Sequence, residues 1–273
     1  MSSRWLLTPA LAYLLAFYFL PVARLLALSI WADGASLLPF REVAYHPEYL
    51  VVLWTTMRIA AGVTVFSILV GYPVAYYMTR LKGRVLATAM MLVLLPFWTS
   101  ILVRTFAWIA ILGRVGVINQ VLMRAHLIQQ PLALIFNRVG LYIGLTHVLL
   151  PFAVLPLYGV MRGIDERLLR AAESLGASPL RAFWRVFLPL SLPGITSGSL
   201  LVFIAAAGAY ITPALLGGAE DIMIAQLIGA QIDKTLNWPL GAALAVILLS
   251  VTVTTIVIYF KLVGEDRVWR ERV

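Results

Sequence analysis

The 273-residue chain contains no cysteine, so it has no disulfide, no thiol nucleophile and no cysteine-ligated metal. It is also poor in charge. Asp, Glu, Lys and Arg make up 12% of it and hydrophobic residues 62%, against roughly 25% and 45–50% in soluble domains. Acids are the scarcest charged class, and all twelve fall in segments expected to be aqueous. Asp33, Glu42, Glu48, Glu220, Asp221 and Asp233 lie on one side of the expected membrane. Asp165, Glu166, Glu173, Glu265, Asp266 and Glu271 lie on the other. Ion-coupled carriers generally place ionisable residues at mid-membrane; the absence of an acid there argues against that mechanism. No G-x-x-x-x-G-K-[ST] loop is present to cradle ATP, and no H-E-x-x-H to hold zinc. His46, His126 and His147 are far apart in sequence. An intramembrane enzyme would need a nucleophile with a base, or paired aspartates. No catalytic or metal-ligating residue is therefore assigned.

What the chain has instead is long apolar runs. A helix needs about 20 apolar residues to cross a bilayer, and six stretches qualify: about 5–31, 49–79, 85–112, 139–161, 186–216 and 239–262. The first is too long for a signal-peptide core and lacks a small-residue cleavage site. The expectation is an all-α polytopic membrane protein with six transmembrane helices in a single domain, 1–273. A net charge of +9 would suggest nucleic acid in a soluble protein. Here it sets orientation instead. With the N-terminus inside, thirteen of the twenty-one Lys and Arg residues lie in cytoplasmic segments and five in outer loops. Both termini are thus expected in the cytoplasm, with membrane lipid rather than nucleic acid as the surrounding partner. The stretch GVINQVLMRAHL in the longest outer loop reads as a short amphipathic helix.

Three arginines, Arg24, Arg58 and Arg104, fall inside expected spans, in their outer halves. Two readings stand side by side. They snorkel toward outer headgroups, or they line an outward-facing vestibule. His147 in the fourth span reads as a hydrogen-bonded packing residue before it reads as a ligand.

The most unusual segment is DERLLRAAESLGASPLRAFWRVFLPLSLPGI, Asp165 to Ile195. It places a charged helical hairpin, about 164–185, between two apolar runs. Asp165 suits an N-cap and Glu166 the first turn. Glu166 and Arg170 have the spacing of a favourable i, i+4 pair. Leu168, Ala171, Ala172 and Leu175 form a narrow stripe with small residues at its centre. Gly176 suits the left-handed position that ends a helix. Ser178 and Pro179 suit the cap and first residue of a second helix. That helix is expected to turn Leu180, Phe183, Trp184 and Phe187 to one side. Pro189, Pro193 and Gly194 are expected to bend the chain into the fifth span. A hairpin lying on the membrane surface explains Trp184 and the arginines. It leaves the bare face of Ala171, Ala172 and Gly176 unexplained, and a docking knob for a cytoplasmic partner explains that face.

These residues resemble the EAA loop of permease subunits from bacterial ABC importers. The family pattern is roughly E-A-A, three residues, G, about nine residues, then I-x-L-P. Ala171, Ala172 and Gly176 match it, and Phe187-Leu188-Pro189 takes the place of its end. Arg170 stands where the family has glutamate, which implies a compensating acid on the partner. LPFWTSILVRTFAWIAILGRVGVINQ (Leu95–Gln120), TPALLGG (Thr212–Gly218) and DIMIAQLI (Asp221–Ile228) resemble the spermidine/putrescine group of that family. The resemblance covers most of the chain from about Trp54 onward.

The resemblance implies a type I ABC importer permease fold in the bacterial inner membrane, with coupling helices in the cytoplasm. It implies that Arg170, Ala171, Ala172, Leu175, Gly176, Ala177, Ser178 and Pro179 couple to ATPase subunits. It further implies two such ATP-binding cassette subunits, which hold the ATP and Mg, a second homologous permease, and a periplasmic or extracellular substrate-binding protein. The chain itself would hold no cofactor and be no enzyme. A polyamine is a cation, whereas the spans offer arginines and no acid. Either selection rests with the binding protein, or aromatic faces such as Trp98, Phe106 and Trp108, beside Arg104, line the path, or the substrate is an opine or other amine. Packing is the competing reading of Trp98 and Trp108. A self-sufficient carrier or channel is the alternative function, and would need no ATPase.

Overall fold

The computed structural model describes residues 8–31, 34 and 36–263, and all regular structure among them is helical. Arg4, Asp33 and the charged residues Glu265 to Arg272 lie outside the described residues. The helices are α1 (Thr8–Trp31), α2 (Leu38–Tyr45), α3 (Pro47–Thr79), α4 (Gly83–Trp98), α5 (Ile101–Leu112), α6 (Val117–Arg124), α7 (Arg138–Arg162), α8 (Glu166–Ser174), α9 (Pro179–Ala207), α10 (Ile211–Leu216), α11 (Ile224–Asp233) and α12 (Trp238–Val263). Six helical stretches are long and apolar enough to cross a membrane, α5 and α6 counting as one. The chain divides into two compact units, 1–54 with 223–255 and 55–222 with 256–273.

In the first unit, α2, α11 and the start of α12 close on a small core of Val43, Ile224, Leu240 and Leu244. The second unit carries the hairpin. Its centre is the pairing of α7 with α9, where small residues let the backbones touch. A Cβ on Gly198 would sit 3.2 Å from the Ala153 carbonyl oxygen and 3.4 Å from its Cα; one on Gly194 would sit 3.1 Å from the Leu157 Cα. Lipid tails are as apolar as the side chains, so helices in a bilayer associate by such close packing rather than by the hydrophobic effect. At one end of this pair a core of Ala75, Met78, Val154, Leu157, Tyr158, Met161 and Phe187 is buried.

The expected third span, 85–112, is broken. Thr99 and Ser100 take extended ψ values of 143° and 137°, separating α4 from α5. Alone, 16 and 12 residues at about 1.5 Å each are too short for a ~30 Å hydrocarbon layer. Together they run antiparallel along α7. Leu86 and Val93 pack on the core around Tyr158, Phe97 lies on Phe152 at 5.1 Å, and Trp108 reaches His147. The expected third span is therefore two helices joined by an extended break, and the stretch long and apolar enough to cross begins at Ile101. The fifth span also differs from expectation. Its helix starts inside the hairpin at Pro179 and ends at Ala207, and 211–216 form the separate α10.

Pro189, Pro193 and Gly194 do not interrupt the helix. Ahead of Pro189, Phe183–Phe187 widens into a π turn, with the Leu188 N–H donating to the Phe183 carbonyl five residues back. A proline has no N–H to give and crowds the carbonyl four residues before it; widening the preceding turn accommodates both. The same Phe-Leu-Pro sequence follows the π turn Leu15–Phe19 in α1, where the Leu20 N–H donates to the Leu15 carbonyl.

Candidate functional site: the interhelical hairpin and the broken span

The hairpin forms by its caps. The Asp165 carboxylate accepts from the Arg167 N–H at 2.8 Å and opens α8. Gly176 closes it at φ +90°, a conformation that costs other L-residues about 1–2 kcal/mol. Around it the Gly176 N–H donates to the Glu173 carbonyl at 2.9 Å and the Ala177 N–H to the Ala172 carbonyl at 3.0 Å. The Ser178 hydroxyl accepts from the Arg181 N–H, and Pro179 is the first residue of α9.

The mount beneath is aromatic. Phe183 stacks on Phe187 at 5.8 Å and meets Tyr72 and Tyr76 edge-on at 6.1 and 5.7 Å. Tyr72 and Ser191 share a hydroxyl hydrogen bond of 3.0 Å. The expected one-sided row is therefore split. Phe183 and Phe187 turn inward, while Leu180 and Trp184 stay exposed. The π turn shifts the angular spacing that a regular helix would give.

Facing outward are Arg170, Ala171, Gly176, Ser178 and Pro179, with Ala172 and Ala177 half-buried. Leu175 is 90% exposed at the tip, and a Cβ on Gly176 would meet nothing within 4 Å. Leu169, outside the expected stripe, is the residue of α8 that packs on the core. Glu166 and Arg170 make no ion pair; among the described residues those pairs are His46–Glu48 and Arg138–Asp221. Instead Glu166, Arg170 and Glu173 line a cleft of about 540 Å³ together with Arg80, Lys82 and Arg162. On the other side Ala172, Gly176, Ala177 and Arg181 line a shallower one of about 300 Å³.

Of the expected path residues, Arg104 and Trp108 point together toward α7. Trp98 and Phe106 are 72% and 57% exposed in the single chain, so the four do not converge. The Trp108 indole N–H donates to His147 Nδ1 at 3.2 Å. The Arg104 guanidinium donates to the Pro96 carbonyl, bridging the break between α4 and α5, and its Nε is buried without a partner. His147 is thus a hydrogen-bonded packing residue. Arg24 and Arg58 are exposed. Among the described residues no cluster of His, Asp or Glu could hold a metal.

Sequence reasoning missed two features. Asp221, expected in water, is 4% exposed and accepts from Arg138 Nε at 2.8 Å, tying the start of α7 to the loop after α10. Asn119 is fully buried, pinning α6 through the Gly113 and Leu132 carbonyls and the Leu132 N–H at 2.8–3.0 Å. Burial of each depends on a partner distant in sequence, Arg138 for Asp221 and Leu132 for Asn119.

Residues 64–270 match the family model of binding-protein-dependent transport system inner membrane components. The chain is 33% identical over 257 residues to the spermidine/putrescine transport system permease protein PotB of Haemophilus influenzae, covering 92% of this chain and 90% of that one. It is 34% identical to PotB of Escherichia coli, covering 91% and 93%. The molybdenum transport system permease protein ModB of Mycobacterium bovis is 30% identical over 93% of this chain and 92% of its own. The fold is similar to that of a chain in the crystal structure of a bacterial alginate ABC transporter with its periplasmic protein. The TM-score is 0.78 at 15% identity, over 94% of this chain and 91% of that one. With the family match spanning most of its length and PotB relatives alike over nine-tenths of both chains, this chain belongs to the family of inner-membrane components of binding-protein-dependent transport systems.

Proposed function

We propose that the chain is the permease subunit of an ABC importer that carries a polyamine, spermidine or putrescine, or a related amine. The observation that carries the substrate class is the identity to PotB over about nine-tenths of both chains. Discrimination rests mainly with a binding protein. The spans hold no carboxylate to grip an amine, and Arg104 beside the path would repel one. The exposed aromatic faces of Trp98 and Phe106 supply weak contact to a passing cation, whereas Trp108 is held on His147.

The hairpin is the coupling element. Arg170, Ala171, Ala172, Leu175, Gly176, Ala177, Ser178 and Pro179 dock in one of two ATPase subunits, which bind ATP and Mg and perform the hydrolysis. A second, similar permease completes the path, and the whole chain, 1–273, serves as one permease domain. The exposed Leu175 and the open space at Gly176 are what a partner surface would fill. Thirteen of twenty-one basic residues then lie in the cytoplasm, with both termini. ATP-driven closure of the ATPases moves the hairpin as a rigid body and alternates access.

The test is co-purification through a tag on this chain in mild detergent, followed by reconstitution of what is recovered. Recovery of an ATPase and a second permease, with ATP-dependent uptake of labelled spermidine or putrescine, is the expected result. Uptake of molybdate but no amine would overturn the substrate class. A chain recovered alone that transports alone would overturn the importer reading. Arg170→Glu is expected to weaken ATPase recovery, and an acid-to-base change on the partner to restore it.

A further inference from the structure

Opposite charges share the cleft beside the hairpin without pairing. Arg80 and Lys82 come to it from the turn between α3 and α4, Glu166 and Glu173 from α8, and all four are exposed. Glu166 and Glu173 are seven residues apart, two helical turns, so both lie on one face of α8, about 10 Å apart along its axis. None of the four makes an ion pair among the described residues. The cleft holds about 540 Å³. At roughly 30 Å³ per water molecule it is a wet gap and not a packed seam.

Its two walls are built differently. On one, the Arg80 guanidinium lies 4.5 Å over the Tyr76 ring and donates to the Tyr76 hydroxyl. Tyr76 meets Phe183 and Phe187 edge-on at 5.7 and 5.0 Å, so this wall belongs to the aromatic mount. Lys82 follows, just before Gly83 turns the chain at φ +57°. The other wall is α8, nine residues long, which packs on the core through Leu169. Its caps are local, so it keeps its shape when it moves.

We infer that this cleft closes during transport, α8 swinging toward the α3–α4 turn until Glu166 and Glu173 pair with Arg80 and Lys82. Open, the four charges are solvated singly. Closed, they are paired, so the two states differ by contacts made in only one of them. Arg162 and Arg170 also line the cleft. They keep it net positive after both pairs form, which leaves Arg170 a charge for the partner acid proposed opposite it. The inference rests on the proposed coupling role of the hairpin for the force that drives closure. The attraction across the cleft is a property of this chain alone.

The chain has no cysteine, so Lys82→Cys with Glu173→Cys gives one intrachain pair for a short bis-maleimide, its yield read by mass spectrometry. Arg80 and Glu166 stay in place as the remaining pair. In the recovered complex, trapping the ATPases with ATP is expected to raise the yield at least threefold over the nucleotide-free complex. In the isolated chain, raising salt from about 0.01 to about 1 M shortens the screening length from about 30 to about 3 Å, and is expected to lower the yield about twofold. In the chain without cysteines, Lys82→Glu is expected to lower ATP-driven uptake about two- to fivefold, the range of one exposed ion pair, with ATPase recovery unchanged. Adding Glu166→Lys or Glu173→Lys is expected to restore uptake to within about twofold. A yield indifferent to nucleotide with the ATPases bound, or a loss that neither lysine restores, would overturn the inference. A native chain that recovers no ATPase would overturn the coupling role instead. The salt series would still decide the attraction, and a yield independent of salt would overturn it.

Discussion

The hairpin and the α7–α9 pair are held by opposite means. The hairpin is organised by local hydrogen bonds at Asp165, Gly176 and Ser178, and it leaves Leu168, Leu175, Leu180 and Trp184 exposed. In the α7–α9 pair the local hydrogen bonds at the closest point, from Thr196 and Ser197 back to the Pro193 carbonyl, stay within α9 and do not join the two helices. The pair is held by contact between Gly194, Gly198 and the backbone of Ala153–Leu157. A capped element can hold its own shape while presenting an unfilled face; a small-residue interface exists only when its partner is in place. Exposed apolar residues on the capped element therefore point to a partner outside the chain.

The contrast can be broken most severely at Gly198. A leucine there has to displace the Ala153 backbone, and overpacking of this kind costs about 1–3 kcal/mol. Gly198→Leu is expected at the upper end, read as a lower melting temperature and lower yield in detergent. Gly176→Trp has open space but a positive φ, so about 1–2 kcal/mol is expected, confined to the hairpin. The chain should insert and melt almost normally, yet lose ATPase recovery in the co-purification. Normal recovery and transport in that variant would sink the docking role. Asp165→Ala and Ser178→Ala each remove a cap worth about 1 kcal/mol. They should speed amide exchange over residues 166–177 while leaving global melting unchanged. The smallest effect is expected for Trp108→Phe, which deletes one intramembrane hydrogen bond worth about 0.6 kcal/mol. A double-mutant cycle with His147→Phe would measure it, and a coupling of zero would show that the two rings merely touch.

Legibility follows the same division. The hairpin's turn and both caps were readable because a cap is a local event, set by one side chain and the backbone within three residues of it. The separation of Phe183 and Phe187 from the exposed Leu180 and Trp184 was not, because the π turn before Pro189 changes the angular spacing along the helix. The break at Thr99–Ser100 was hidden inside an unbroken apolar run. Hydropathy counts residues and says nothing of extended ψ angles, while Arg104, which bridges the break, read as a charge that snorkels outward or lines a vestibule.

By itself the sequence determined that the chain is a helical membrane protein, how many crossings it makes, and where the capped hairpin sits between them. Those follow from apolar length and local backbone chemistry. Only the tertiary structure decided that the expected third span is interrupted and that Asp221 is a buried partner of Arg138. It also decided that Arg104 and Trp108 turn toward α7 while Trp98 and Phe106 stay exposed, and that Arg80 and Lys82 share a cleft with Glu166 and Glu173. Each of those depends on which distant helix a side chain meets, and in a bilayer that choice is made by close packing between surfaces that look equally apolar in sequence.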